Sequence, residues 1–364
     1  MPSDFSLVRD LLDELVSLVN SDQIFSDIHL EQDMPMMIKT PRGWRQASAE
    51  PVTLEDMVPV LGAIDENWKG RIADRAIDRP FALTDYRLRC NVYRSAGGAR
   101  VTVSIRRLPL RPIPLAQTGL PAHTRTMVEA ARGVIMVTGP TGSGKSTTIA
   151  SMLDHINATR SAHIVTIEEP IEYQLQRKQS IISQKEVPTD TASFSSGLRE
   201  AMRQKPDVIM VGEIRDVDTA ETVLHAGESG HLVLATLHTN SAVGALTRLL
   251  GFFPAEQRGQ RAAGLARSLV GVIFQSLVPN ERGDAVVLAH EILFNHNQQL
   301  ARFIADPDKM HQIEDVLRRR EDTMSRSLND VLVQLVGQKA VAARDAMRAA
   351  YNRLELHDML GSMR

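Results

Sequence analysis

The sequence predicts an α/β protein in three parts: a small α+β domain, a domain built on a parallel sheet, and a C-terminal helical subdomain. Three observations carry that expectation. Four apolar strand candidates, Val134 to Thr138, His163 to Ile167, Val208 to Val211 and His231 to Thr236, alternate with helix-compatible segments. Strands buried on both faces read as continuous apolar runs, and helices between them make the sheet parallel. A glycine-rich turn joins the first of these strands to a helix. Finally, Pro109, Pro112, Pro114 and Pro121 crowd one stretch, where fixed φ angles and missing N–H donors disfavour helix and central strand alike. That stretch reads as a linker, giving domains over residues 1–108, 122–294 and 295–364 with the linker at 109–121.

In chain order, Leu7, Leu11, Leu12, Leu15, Leu18 and Val19 fall on one stripe of an amphipathic helix over residues 7–19. Ser26-Asp27-Ile28-His29-Leu30 reads as a short strand, and Met36 to Lys39 as another, closed by a Pro41-Arg42-Gly43 turn. A helix from Leu54 to Ile64 has Thr53 as its N-cap. Alternation returns in Leu88 to Tyr93 and in Arg100 to Ile105, with Gly97-Gly98 as the turn between them. From Asn295 onward the pattern is helical, with candidates at Ile313 to Arg319, Leu328 to Val336 and Arg344 to Leu354.

A chain of 364 residues exceeds one ordinary core. Its 43% hydrophobic and 24% charged residues describe a water-facing globular protein. No apolar run approaches the roughly 18 residues of a membrane span, and Met1-Pro2-Ser3-Asp4 lacks the basic and apolar signature of a signal peptide. A cytoplasmic protein is therefore expected. The lone Cys90 excludes an internal disulfide and any zinc site made of paired cysteines. A net charge of −2 and 4% aromatic residues argue against a protein that coats nucleic acid.

The chemistry centres on Gly139-Pro140-Thr141-Gly142-Ser143-Gly144-Lys145-Ser146, an unbroken G-x-x-x-x-G-K-[ST] motif. Its strand-to-helix setting lets successive backbone N–H groups curl around phosphate oxygens, with the helix dipole behind them. Lys145 would reach the β- and γ-phosphates and the Ser146 hydroxyl a Mg²⁺ ion, with Thr147 opening the helix-compatible run beside them. ATP and Mg²⁺ are the expected ligands. Hydrolysis also needs carboxylates, one beside the metal and one to orient water. They are expected at the C-terminal strand ends, where open α/β sheets bind ligands. Glu168, Glu169 and Glu172 follow the second strand, and Gly212-Glu213-Ile214-Arg215-Asp216 follows the third. Glu213 stands where a metal-side carboxylate belongs, and Gly212 is expected to let the backbone pass close to the nucleotide. Arg215 is expected to be neutralised by Asp216 or Asp218. His238 falls at the tip of the fourth strand and His231 at its start.

Taken together, Gly139 to Ser146, Thr166 to Tyr173, Gly212 to Asp216 and Ala235 to Thr239 resemble the Walker A, Asp box, Walker B and His box of the secretion ATPase superfamily. The likeness is greatest to PilT-like retraction ATPases of type IV pili, and runs from Ser26-Asp27-Ile28-His29-Leu30 to about His290-Glu291-Ile292. The resemblance implies a PAS-like first domain and a RecA-like core. It implies Glu172 as the carboxylate that positions water, Glu213 on the Mg²⁺ side, and His231 and His238 as residues that sense nucleotide or bridge to a neighbour. It also implies a ring hexamer completed in trans by arginines of the first domain, among Arg89, Arg94, Arg106 and Arg107, with Arg106 chosen. The partners it implies are a PilC-like platform protein of the inner membrane and, indirectly, pilin, at the cytoplasmic face.

Two departures bear on this. Glu169 stands where the Asp box has its aspartate, and the C-terminal AIRNLIRE-type motif is replaced by Gln298 to Asp306. An accessory pilus ATPase or a type II/IV secretion motor is therefore the alternative to retraction. A RecA-like nucleic-acid translocase is a further rival, and it lacks the basic, aromatic channel such proteins need.

Overall fold

The structure is a computed structural model that describes residues 10–321 and 323–362. Met1 to Asp4 and Leu7 of the expected first helix lie outside them. The chain forms two units, Met1–Arg111 with Arg282–Ala285, and Pro112–Glu281 with Val286–Arg364.

In the first unit the order is α1 (Leu11–Val19), β1 (Asp27–Glu31), β2 (Met34–Thr40), β3 (Gly43–Val52), α2 (Leu54–Ile64), α3 (Trp68–Asp74), β4 (Ile77–Ala82), β5 (Tyr86–Ser95) and β6 (Arg100–Pro109). The strands make one antiparallel sheet ordered β3-β2-β1-β6-β5-β4. α1 begins where Asp10 accepts the Asp13 N–H, and Leu11, Leu15 and Val19 are its buried stripe. α2 opens on a capping box, Thr53 and Asp56 each bonding the other's backbone N–H. These helices pack on Ile28, Leu30, Ile38, Val92, Val103 and Ile105, each worth roughly 1.5–3 kcal/mol when fully buried. β3 and β4 escaped the sequence reading for a physical reason. Both are edge strands: β3 is largely exposed, and β4 carries Pro80, a residue that sheets accept at an edge.

The second unit follows as α4 (Thr124–Val128), β7 (Gly133–Thr138), α5 (Lys145–Thr159), β8 (His163–Glu168), β9 (Ile181–Glu186), α6 (Phe194–Ala201), β10 (Val208–Val211), α7 (Val217–Glu228) and β11 (Leu232–Leu237). Then come α8 (Ala242–Gly251), α9 (Ala255–Ser268), β12 (Leu269–Pro279), β13 (Val286–Phe294), α10 (Gln298–Ala305), α11 (His311–Arg319), α12 (Leu328–Gly337), α13 (Ala343–Ala349) and α14 (Arg353–Gly361). The sheet order is β13-β12-β7-β11-β10-β8-β9, all neighbours parallel except the β12–β13 pair.

β7 is buried at every residue. Val134 and Met136 face the core shared with α6 to α9, while Ile135 and Val137 face Ile149, Met152 and Ile156 of α5. That two-sided burial is what its unbroken apolar run encodes. The sheet is larger than the four expected strands, through β9 at one edge and β12 and β13 at the other. β9 is half-exposed, so its apolar signal is weak. One expected helix, Arg344 to Leu354, is instead two: Asn352 caps a fresh helix by accepting the Glu355 N–H, and the preceding Tyr351 turns its hydroxyl onto Glu291.

Candidate functional site

The loop Gly139 to Gly144 leaves the end of β7 and feeds α5, whose first residue is Lys145. Gly139 has φ +147°, and a Cβ there would lie 2.3 Å from the Gln275 carbonyl oxygen and 2.7 Å from Ser143 Oγ. Only glycine tolerates both that backbone and that approach. β12 supports the loop from below, where the Gln275 side chain donates to the Ser143 carbonyl at 2.8 Å. Among the described residues, the N–H groups of Gly142, Gly144, Lys145 and Ser146 have no hydrogen-bond acceptor, and the buried Ser143 hydroxyl has no partner. Donors at a helix N-terminus left in this way suit an anion.

Lys145 is 8% exposed. Its ammonium donates to the carbonyls of Gly139 at 2.9 Å and Pro140 at 3.0 Å, and to His238 Nδ1 at 3.4 Å. Burial lowers its pKa, and the nearby carboxylates of Glu213 and Glu172 push back. His238 is lowered too, by burial first and then by the Lys145 charge. The neutral imidazole that results accepts from Lys145 at Nδ1 and turns Nε2 toward Glu213 Oε1, 3.6 Å away.

Glu213 meets Arg215 at 2.7 Å, and Arg215 also holds Glu169 at 2.6 Å. This corrects the expected neutralisation by Asp216 or Asp218: Asp216 instead caps α7, accepting the Thr219 N–H at 2.7 Å. Arg215 thus clips together the loops after β8 and β10. A Cβ on Gly212 would meet the Phe194 ring at 3.1 Å and the Ile167 carbonyl at 3.2 Å. Its smallness serves the packing of β8 and α6.

Strand order makes the placement of Glu172 a tertiary matter. β8 lies three strands from β7, roughly 14 Å at ordinary strand spacing. The loop after it nonetheless returns, because the buried Tyr173 hydroxyl bonds Thr147 Oγ1 at 2.8 Å on the first turn of α5. Glu168, buried at the end of β8, accepts hydrogen bonds from the Thr166 hydroxyl and the Gln184 amide, while burial raises its pKa.

The structure brings together Gly139, Pro140, Thr141, Gly142, Ser143, Gly144, Lys145, Ser146, Thr147, Glu172, Glu213 and His238 on one end of the sheet. His231 is elsewhere. It precedes β11 at the opposite end, against Ser229 Oγ and the Ala226 carbonyl, each at 3.2 Å. Arg106 belongs to the first unit, where it pairs with Asp27 at 3.0 Å. Arg89 pairs with Asp78 at 3.2 Å, and Arg107 donates to the Val19 carbonyl at 3.0 Å while stacking on Phe25 and Tyr86. Gln275 is a supporting residue that sequence reasoning missed, and Tyr173, Arg215 and Glu168 were read without the partners they have here. For Gln275 the signal was a lone amide inside the apolar run Leu269 to Val278.

No cluster of three or more His, Cys, Asp or Glu able to hold a metal occurs among the described residues. Mg²⁺ bound with a nucleotide keeps waters and phosphate oxygens and takes only one or two protein oxygens. Ser146 and Glu213 offer such hard donors.

A glycine loop on a buried parallel strand, a lysine at the helix start and carboxylates on neighbouring strand ends define a P-loop ATPase. Comparison with known proteins then gives the family. The type II/IV secretion system protein family matches residues 81–349. The twitching motility protein of Neisseria gonorrhoeae is 35% identical, over 87% of this chain and 84% of its own. The type IV pilus retraction ATPase PilT of Pseudomonas aeruginosa is 33% identical, over 89% of this chain and 94% of its own. A crystal structure of the pilus retraction motor PilT with bound ADP superposes with a TM-score of 0.80 at 36% identity, covering 96% of this chain and 99% of that one. The chain belongs to the type II/IV secretion system protein family.

Proposed function

We propose that this protein is an ATP-driven motor that retracts a type IV pilus. The observation that carries the reading is the convergence of Lys145, Glu213, Glu172 and His238 at the glycine loop, in a chain similar over nearly its whole length to a pilus retraction ATPase. Lys145 binds the β- and γ-phosphates, the loop amides and Ser143 hold phosphate oxygens, and Ser146 and Glu213 take Mg²⁺, which neutralises developing charge when bound. Glu172 orients the attacking water and accepts its proton, and His238 reads the γ-phosphate from between Lys145 and Glu213.

The working assembly is a hexameric ring. Arg106, or another arginine of the first unit, adds a cation to a neighbour's ATP, and His231 serves the subunit boundary. The ring acts at the cytoplasmic face of the inner membrane on a PilC-like platform protein and through it on pilin. Attachment is peripheral in this reading; no helix among the described residues is long and apolar enough to cross a membrane. An accessory pilus ATPase or a secretion motor is the second reading, favoured by Gln298 to Asp306 in place of the AIRNLIRE-type motif.

Two measurements test this. Lys145→Ala should abolish nucleotide binding and turnover, and wild-type ATPase activity in that variant would sink the site. Deleting the gene should leave surplus pili that do not retract, whereas loss of pili would point to assembly or secretion.

A further inference from the structure

We infer that Glu291 is a positioning residue for the nucleotide site, locking the loop that carries His238 to the C-terminal helices. Glu291 lies in β13 and is 0% exposed. Its carboxylate accepts three hydrogen bonds: the Ala242 N–H at 2.8 Å on Oε1, and the Leu328 N–H at 3.3 Å and the Tyr351 hydroxyl at 2.7 Å on Oε2. Ala242 and Leu328 are the first residues of α8 and α12. One side chain therefore satisfies free donors at two helix starts, where a negative charge is also favoured by both dipoles.

A buried carboxylate is an inefficient way to stabilise a core, because desolvation offsets most of what its partners return. Its geometry is the informative part. α8 opens directly after His238-Thr239-Asn240-Ser241. Within that segment the Thr239 N–H donates to Thr138 Oγ1 at 3.1 Å, the two threonine hydroxyls meet at 2.7 Å, and the Thr239 hydroxyl donates to the Ser241 carbonyl at 3.0 Å. Thr138 is the last residue of β7, adjoining Gly139. A continuous bonded path thus runs from the glycine loop through Thr138, Thr239, Ser241 and Ala242 to Glu291, and on to α12 and Tyr351. A displacement of the His238 loop during turnover must move the first turn of α8. Because Glu291 grips α8 and α12 together, that movement is either resisted or handed to the C-terminal helices.

The inference rests on the nucleotide-site reading above, and the experiment separates the two. Full-length Glu291→Gln, Tyr351→Phe, His238→Ala and the Glu291→Gln/His238→Ala pair would be compared for thermal unfolding, Kd for a fluorescent ADP analogue, and kcat and KM for ATP. In Glu291→Gln, kcat should fall by at least ~10-fold while the ADP-analogue Kd changes by less than about threefold. Adding His238→Ala should bring no further loss, since residues acting as a unit are not additive. Tyr351→Phe removes one donor only and should lower kcat by roughly 2- to 5-fold in the same sense. A lowered Tm with wild-type kcat in the folded protein would overturn the inference, as would losses that multiply in the double variant. If Glu291→Gln does not fold, Tyr351→Phe decides: a lower kcat at unchanged Kd supports the inference, and a wild-type kcat overturns it. Lys145→Ala is the control for the site itself. Binding and turnover retained there would defeat the nucleotide-site reading, whereas their loss alongside wild-type Glu291→Gln kinetics would defeat this inference alone.

Discussion

At the scale of single residues, the acids after β8 divide their tasks by environment. Glu168 is buried, accepts hydrogen bonds from Thr166 and Gln184 and has its pKa raised by desolvation, while Glu172 stands nearer the solvent and within electrostatic reach of Lys145. Glu172→Gln should retain ADP and ATP binding and lose at least ~10² in kcat, the scale of a positioned general base. Steady-state hydrolysis checks it, with Glu168→Gln as the comparison; a dead Glu168→Gln beside an active Glu172→Gln would reverse the assignment. His290 supplies a pH prediction. It is 7% exposed, neither ring nitrogen has a partner among the described residues, and burial with the charges of Arg326 and His123 holds its pKa down from 6.5 to about 4. The unfolded chain takes up a proton that the folded one refuses. The stability tied to neutral His290 is therefore complete above its unfolded pKa and is lost as pH falls from 6.5 toward 4, by an amount on the order of 3 kcal/mol. His290→Gln should remove that share of the acid destabilisation, read as a smaller difference between urea midpoints at neutral and mildly acidic pH.

At the scale of elements, the site depends on strands that contribute no residue to its chemistry. β12 lies beside β7 and carries the Gln275 amide that holds the Ser143 carbonyl, with its own carbonyl against Gly139. Gly139→Ala would force a Cβ into that carbonyl at 2.3 Å and strain a backbone at φ +147°. A cost of roughly 1–3 kcal/mol for such a conformation is expected, together with loss of nucleotide affinity as the loop shifts off β12. Thermal unfolding and an ADP-binding titration check both halves. Unaltered affinity in a destabilised protein would mean that β12 supports the fold and leaves the loop unaffected. The clip formed by Arg215 on Glu169 and Glu213 acts on the same principle, holding two strand-end loops in one arrangement.

At the scale of the whole molecule, the expected arginines of the first unit are engaged within that unit, Arg106 with Asp27 and Arg89 with Asp78. These pairs are half-exposed, and such bridges contribute about 0–1 kcal/mol, so a nucleotide's phosphates would compete readily for the guanidinium. Specific activity should accordingly rise with protein concentration as rings form. Mixing Arg106→Ala with Lys145→Ala should recover part of the activity by pairing intact half-sites. Sedimentation and ATPase assays on the same samples check this, and a monomer fully active at every concentration would overturn the ring and the trans cation together.

The sequence by itself determined the phosphate loop, the strand candidates that end at Ile167, Val211 and Thr236, and the helix start marked by Thr53. These are legible because a phosphate cradle is made of consecutive backbone amides, a two-sided buried strand is continuously apolar, and a cap bonds three residues ahead. Only the tertiary structure decided the order β7-β11-β10-β8, and with it the need for Tyr173 to draw the acidic loop back to Thr147. The same holds for Gln275 beneath the loop, for the pairing of Arg215 with Glu169, and for Glu291 between two helices. Each joins residues between 26 and 132 positions apart or sits at a junction of several elements. Their partners are set by strand order and register, which arise from burying whole faces of the sheet and leave no local pattern to read.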